Sequence, residues 1–194
     1  MKRKFIMILA ASTLILSACQ TQQTAQATER ATEESVLETT VSPEVEEVAS
    51  ERLNIRIPVP DTVYLIPLEQ LASLNNVYEF YTMLDGEEIL FPAIYAAFDI
   101  SEDSKLELEE YIAGNMANLE TQGFQAEDCG AVTLGNGEEY RKISASTGSL
   151  YQEFYMTPAE YDGEKVYAYI SIACNDTEEE KKWAEEVLGG MTAY

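Results

Sequence analysis

Apolar and polar positions alternate most regularly near the C-terminus. In Val166–Cys174, the residues Val166, Ala168, Ile170, Ile172 and Cys174 fall on one side at period two, and Tyr167, Tyr169, Ser171 and Ala173 on the other. Neither set is charged, which predicts a central strand covered on both faces. Three strand-like runs precede it: Phe124–Leu134, Tyr140–Ser146 and Leu150–Met156. They are separated by Gly135-Asn136-Gly137, by Thr147-Gly148, and by a loop at 157–165 that contains Pro158 and Asp162-Gly163. The pattern predicts a four-stranded meander.

The period changes to 3.6 residues before that meander. Leu108, Tyr111, Ile112, Met116 and Leu119 share one face of a helix predicted over 105–121, while Glu107, Glu110, Asn115 and Asn118 take the other. Ser104 with Glu107 has the spacing of a capping box, and Gly123 stands where a C-terminal cap belongs. A second helix is predicted over 178–189. Thr177 and Glu180 form its capping pair, Trp183, Val187 and Leu188 its inward stripe, and Gly189-Gly190 its end. Earlier still, Leu53–Ile57 alternates at period two, Val63–Ile66 follows Pro60-Asp61, and Leu68–Leu74 has room for a helical turn. Val77–Leu84 and Ile89–Phe98 flank Asp85-Gly86, a hairpin cue. Strands, helix, meander and helix in that order predict an α+β fold. It is a mainly antiparallel β-sheet with a long helix and a C-terminal helix packed on it.

The N-terminal part follows different rules. Lys2, Arg3 and Lys4 precede an apolar run from Phe5 to Leu16, and Leu16-Ser17-Ala18-Cys19 closes it. That layout is a secretory signal peptide over 1–18. The last four residues resemble the lipobox of bacterial lipoproteins, which implies diacylglycerol on Cys19. The apolar run is too short for a transmembrane helix of about 20 residues. Residues 19–50 lack aromatic side chains and are rich in Thr, Gln, Ala and Glu, the composition of a disordered tether. Such a coil averages ~30 Å end to end. A single domain is predicted over 51–194, with the protein at the extracytoplasmic face of the cell membrane and held by its lipid.

Charge and composition narrow the function. The 194-residue chain has 12 basic and 35 acidic residues and no histidine. Without residues 1–18, nine basic residues face 35 acidic ones, a formal charge of −26. Phosphate backbones are bound through Lys and Arg, so nucleic acid is not expected as a partner. Two acyl chains suffice for stable anchoring, which leaves the acidic domain clear of anionic headgroups. The lack of histidine excludes Ser-His-Asp and Cys-His mechanisms and histidine-based zinc sites. With Cys19 acylated, Cys129 and Cys174 remain. An extracytoplasmic location favours a disulfide between them, whereas a meander places them on its first and last strands, three spacings of ~4.8 Å apart. The alternative is two buried thiols.

The domain resembles the PsbP-like family. The resemblance runs over residues 53–191: the strand ending in Pro58 and Pro60, the helix around Leu106–Leu119, and the turn Gly137-Glu138-Glu139-Tyr140. It continues through the tyrosine-rich strands Tyr151–Met156 and Val166–Cys174 and the closing helix with Trp183. It implies a non-enzymatic accessory or binding module, and no residue pattern carries over the photosystem contacts.

The candidate binding face is Tyr151, Tyr155 and Tyr161, because tyrosine offers large contact area at small entropic cost. Tyr78, Tyr81 and Tyr95 crowd the first hairpin, and half-buried strands favour tyrosine as well. Asp99, Glu102 and Asp103 before the long helix, and Asn175, Asp176, Glu178 and Glu179 before the last, supply oxygens of the kind calcium takes. Neither group has EF-hand spacing, and acids complement any helix start. No metal or cofactor site is therefore expected, and Cys129, flanked by acids, is a poor nucleophile. The expectation is a non-catalytic module that binds another protein of the cell envelope. The alternative is a receptor for a small ligand or ion in a pocket under the 85–98 hairpin, and a carboxylate-based hydrolase stands third.

Overall fold

The computed structural model describes residues 44–71, 73–84 and 93–194. Among these residues eight strands form one sheet: β1 (Glu44–Ser50), β2 (Ile55–Leu65), β3 (Asn76–Leu84), β4 (Ala93–Asp99), β5 (Gln125–Thr133), β6 (Glu139–Ser146), β7 (Leu150–Tyr161) and β8 (Glu164–Asn175). Their order is β1-β2-β3-β4-β8-β7-β6-β5, and every neighbouring pair is antiparallel. Helix α1 (Leu108–Thr121) lies on one face and α2 (Glu178–Gly189) on the other. The fold is α+β, as the patterning predicts.

β8 holds the centre. Its alternating residues feed both cores, Tyr167 and Tyr169 under α1, Ile170 and Ile172 under α2. Tyr111 of α1 stacks on Tyr167 with ring centroids 4.0 Å apart, and Tyr81 stacks on Tyr95 at 5.0 Å. Large rings and β-branched residues on a doubly covered strand supply the dispersion and burial that hold such a sheet.

The sheet curls at its β1–β2 side. Val45 pairs with Val63 and Glu47 with Pro58, so residues 59–62 bulge out of register. Beyond this bulge only the last residues of β2 pair with β3. The first half of β2 crosses over the α2 face, where Ile55 and Ile57 share a core with Tyr140, Leu188 and Met191. Its free edge accepts the C-terminal segment: Arg56 and Thr192 exchange backbone hydrogen bonds of 2.9 Å in both directions. Gly135 closes the other side of this contact, since a Cβ there would lie 1.8 Å from the Met191 carbonyl oxygen.

Several expectations need correction. The tether prediction runs to residue 50, yet Glu44–Ser50 is strand β1, with Val48 buried. Pairing to β2 orders a segment whose own composition does not. Val63–Ile66 is no separate strand: its first three residues end β2, and Ile66 lies just beyond. Helix α1 starts at Leu108 with Glu107 as N-cap and no side-chain capping bond. Ser104 lies in a 3-10 turn (Glu102–Lys105), buried, and donates to the Ser101 carbonyl. Asn115 is buried rather than outward, its amide donating to the Tyr111 carbonyl at 2.8 Å. β7 continues through Pro158 to Tyr161, and only Asp162-Gly163 turns. Their φ values of 51° and 82° are those of a two-residue hairpin turn. The cap of α2 holds in half: Thr177 accepts from the Glu180 amide, while the Glu180 carboxylate binds Asn175 instead. The predicted Asp85-Gly86 turn lies outside the described residues.

Candidate functional site

β7 carries the residues that matter most, and its two halves have different neighbours. β6 pairs with β7 from Tyr151↔Ser146 to Met156↔Arg141 and no further. β8 accompanies β7 along its whole length. Among the described residues, Thr157–Tyr161 therefore has β8 on one side and an open edge on the other.

A cleft of about 250 Å³ borders that open edge. Its floor is Phe98, Thr157, Ala159, Ala168 and Ile170, on the α2 face of the sheet. One wall is the β1–β2 turn with Arg52, Leu53 and Asn54, and the other is Glu138 and Tyr140 at the start of β6. Asn136 ties the walls together, its amide donating to the Tyr140 hydroxyl at 2.9 Å and to the Asn54 carbonyl at 3.4 Å. Pro158 and Glu160 stand exposed along the mouth. Arg52 is already engaged, 3.4 Å from Glu79 and over the Tyr161 ring.

The inner half of β7 holds a closed polar cluster. Glu153 is 2% exposed. Tyr151 and Tyr155 each donate a hydroxyl to one of its oxygens at 2.6 Å, and Lys142 Nζ from β6 lies 2.5 Å from Oε1. Burial first, then the neighbouring carboxylate, push both phenol pKa values up, so the tyrosines remain donors. Lys142 and Lys181 also cap the Tyr155 and Tyr151 rings, at 5.4 and 5.0 Å from their centroids. This arrangement ties β6 to β7. Its oxygens are occupied by the protein itself.

The three tyrosines of the expected binding face are thus separated. Tyr155 is buried and Tyr151 half-buried around Glu153, while Tyr161 packs on Phe98 under Arg52, beside the cleft. Of the three, only Tyr161 lies on the outer half of β7, beneath the cleft residue Arg52. The missed signal is Glu153 between two tyrosines, at i and i ± 2 on one strand face, where a carboxylate can accept from both.

The cysteines stay apart. Both thiols are free, Cys129 exposed on β5 and Cys174 buried on β8, with β6 and β7 between them. Of the two arrangements left open by the sequence, a disulfide and two buried thiols, neither is found: the cysteines are unpaired, and only Cys174 is buried. Desolvation, then Glu180 and Glu153, push the Cys174 thiol up to about 12.

One acid in each group before the helices is likewise committed, Asp99 in the first and Asp176 in the second. Asp99 is fully buried; it accepts from Tyr111 OH and from the Ser101 amide, both at 2.8 Å. Desolvation raises its pKa against those hydrogen bonds. Asp176 pairs with Lys181 at 2.5 Å and accepts from Ser146, which hold its pKa down. Among the described residues no three His, Cys, Asp or Glu side chains are grouped to hold a metal ion. Among the described residues two carboxylates are deeply buried, Asp99 under α1 and Glu153 under the other face, so the sheet separates them.

Among the described residues no helix is long and apolar enough to cross a membrane. No family model and no curated protein matches the chain. Among solved structures it is similar to LpqN, "involved in cell envelope biogenesis of Mycobacterium tuberculosis". The identity is 19%, over 71% of this chain and 82% of that one, with a TM-score of 0.39. A likeness of that size carries no argument about what this chain does.

Proposed function

We propose that this chain is a non-catalytic binding domain, anchored outside the cytoplasm through a lipid on Cys19, that contacts another component of the cell envelope. The cleft beside outer β7 carries this reading. It has an apolar floor, walls fixed to each other by Asn136, and a mouth open along a strand edge. Its volume of about 250 Å³ lies below the roughly 300–1,000 Å³ that encloses small molecules. A protein segment laid along the edge suits that shape better than an engulfed ligand. Asp99 and Glu153 lie on opposite faces of the sheet, so these two buried acids do not make the pair across one bond that a hydrolase needs. The PsbP-like resemblance points the same way, towards accessory modules.

The test is in-cell crosslinking of the full-length protein followed by mass spectrometry, at low and moderate salt. The expected result is one dominant envelope partner, linked through residues around the cleft and weakened by salt. Crosslinks scattered over the whole domain, or none, would contradict the proposal. Replacement of Cys19 by Ser should release the protein from the membrane fraction, and retention there would contradict the anchor.

A further inference from the structure

The open edge of β7 has a defined set of hydrogen-bonding groups. Tyr161 and Glu164 flank a two-residue turn, so they form the closely bonded pair that ends such a hairpin. The β7–β8 register has no break, so Ala159/Val166 and Thr157/Ala168 also exchange both bonds. Pro158 and Glu160 must then turn their backbone groups away from β8. The outward groups are the Pro158 carbonyl and the Glu160 N–H and carbonyl. Pro158, lacking an N–H, faces the one side where no strand needs it. Among the described residues no loop or side chain bonds to these three groups.

Charge selects what fits beside them. The mouth carries Glu138 and Glu160; of the cations beside it, Arg52 is paired with Glu79, and Lys165, opposite Glu160 on β8, is paired with Glu107. The chain as a whole carries −23, and its own segment 20–43, with four glutamates against one arginine, is acidic, so the field disfavours its return to this site. The outer edge of β5 differs: that strand bulges between Asp128 and Gly130, which blunts edge pairing. The geometry points to an extended, cationic peptide segment as the occupant of the cleft. It adds as a strand to outer β7, opposite Glu160. An apolar side chain sits on Phe98, Ala159 and Ala168, and Lys or Arg side chains face Glu138 and Glu160. This inference rests on the proposed binding function and names the chemistry of its partner.

Three labelled pentapeptides test it by fluorescence anisotropy with the full-length chain in detergent. They are Lys-Val-Lys-Val-Lys, Glu-Val-Glu-Val-Glu, and the lysine peptide with alternate backbone nitrogens methylated. The lysine peptide should bind at least about tenfold tighter than the glutamate one at low salt and lose that advantage at high salt. Backbone methylation should weaken it by about tenfold or more, because the edge bonds are lost. The double variant Glu138→Gln/Glu160→Gln should weaken it by roughly tenfold, the scale of two exposed ion pairs. Its thermal melt reports that the fold is intact. Equal binding of the acidic peptide, equal binding of the methylated one, or no peptide binding overturns the inference. The wider reading survives these results if in-cell crosslinks still converge on the cleft, and falls if they do not.

Discussion

The inner and outer halves of β7 share one strand and one pair of faces, yet they do opposite things. From Gln152 to Met156 every residue is buried, between β6 and β8 and under both cores. From Thr157 to Tyr161 burial ends where β6 ends. Side-chain type does not explain the change, since tyrosines occupy both halves. What differs is the neighbouring strand. A tyrosine beside a paired strand and a carboxylate becomes a structural donor, whereas one beside an open edge borders a binding surface.

The largest expected effect lies in the inner half. Glu153→Ala removes the acceptor of two hydroxyls and the partner of Lys142, leaving the ammonium 21% exposed without its ion pair. Removal of one member of a buried pair destabilises by about 3 kcal/mol, a fall of roughly 10 °C in melting temperature for a domain of this size. Tyr155→Phe deletes one of those charge-assisted bonds and should lower stability by about 2 kcal/mol. An unchanged melt for either would mean the cluster is not what closes the inner half.

Asp99 sharpens the comparison on the opposite face. Desolvation raises its folded pKa, so the folded state binds that proton more tightly than the unfolded state does. Its contribution is present in full below the ordinary carboxylate pKa and is lost as pH rises through the raised folded value. The stability of Asp99→Asn relative to the wild type should therefore rise with pH between 3 and 7. A relative stability that falls over that range contradicts the assignment.

The outer half should tolerate what the inner half does not. Glu160→Gln is expected to change stability by less than about 0.5 kcal/mol, as for other exposed sites, while weakening partner binding. The thiols give a comparison without an energy change. In a Cys19→Ser chain, iodoacetamide should label Cys129 at once and Cys174 only after denaturation, because Cys174 is buried with its thiol raised to about 12. Protection of both would revive the disulfide.

The parts legible in the sequence were those where local pattern and tertiary setting agree. The uncharged alternation in Val166–Cys174 identified the central strand, and Thr177 marked the start of α2. Elsewhere tertiary pairing overrode local signals. Glu44–Ser50 has only two large apolar residues, and β2 rather than its own propensity makes it a strand. Pro158 looks like a loop residue until its missing N–H is seen to face an edge that none of the described strands pairs with. The capping signal at Ser104 failed because its hydroxyl serves a turn one step earlier. The cleft had no sequence signature at all. Its walls, Arg52–Asn54 and Glu138–Tyr140, meet only because β2 bulges and folds back over the sheet.

The most direct test of the account is a photo-crosslinking amino acid placed in the cell at position 160, on the open edge of β7, and separately at position 127, on exposed β5. The account predicts a discrete partner adduct from position 160 that high salt diminishes, and none from position 127. Adducts from position 127 alone, or equally from both, would contradict the assignment of the outer β7 edge as the binding site.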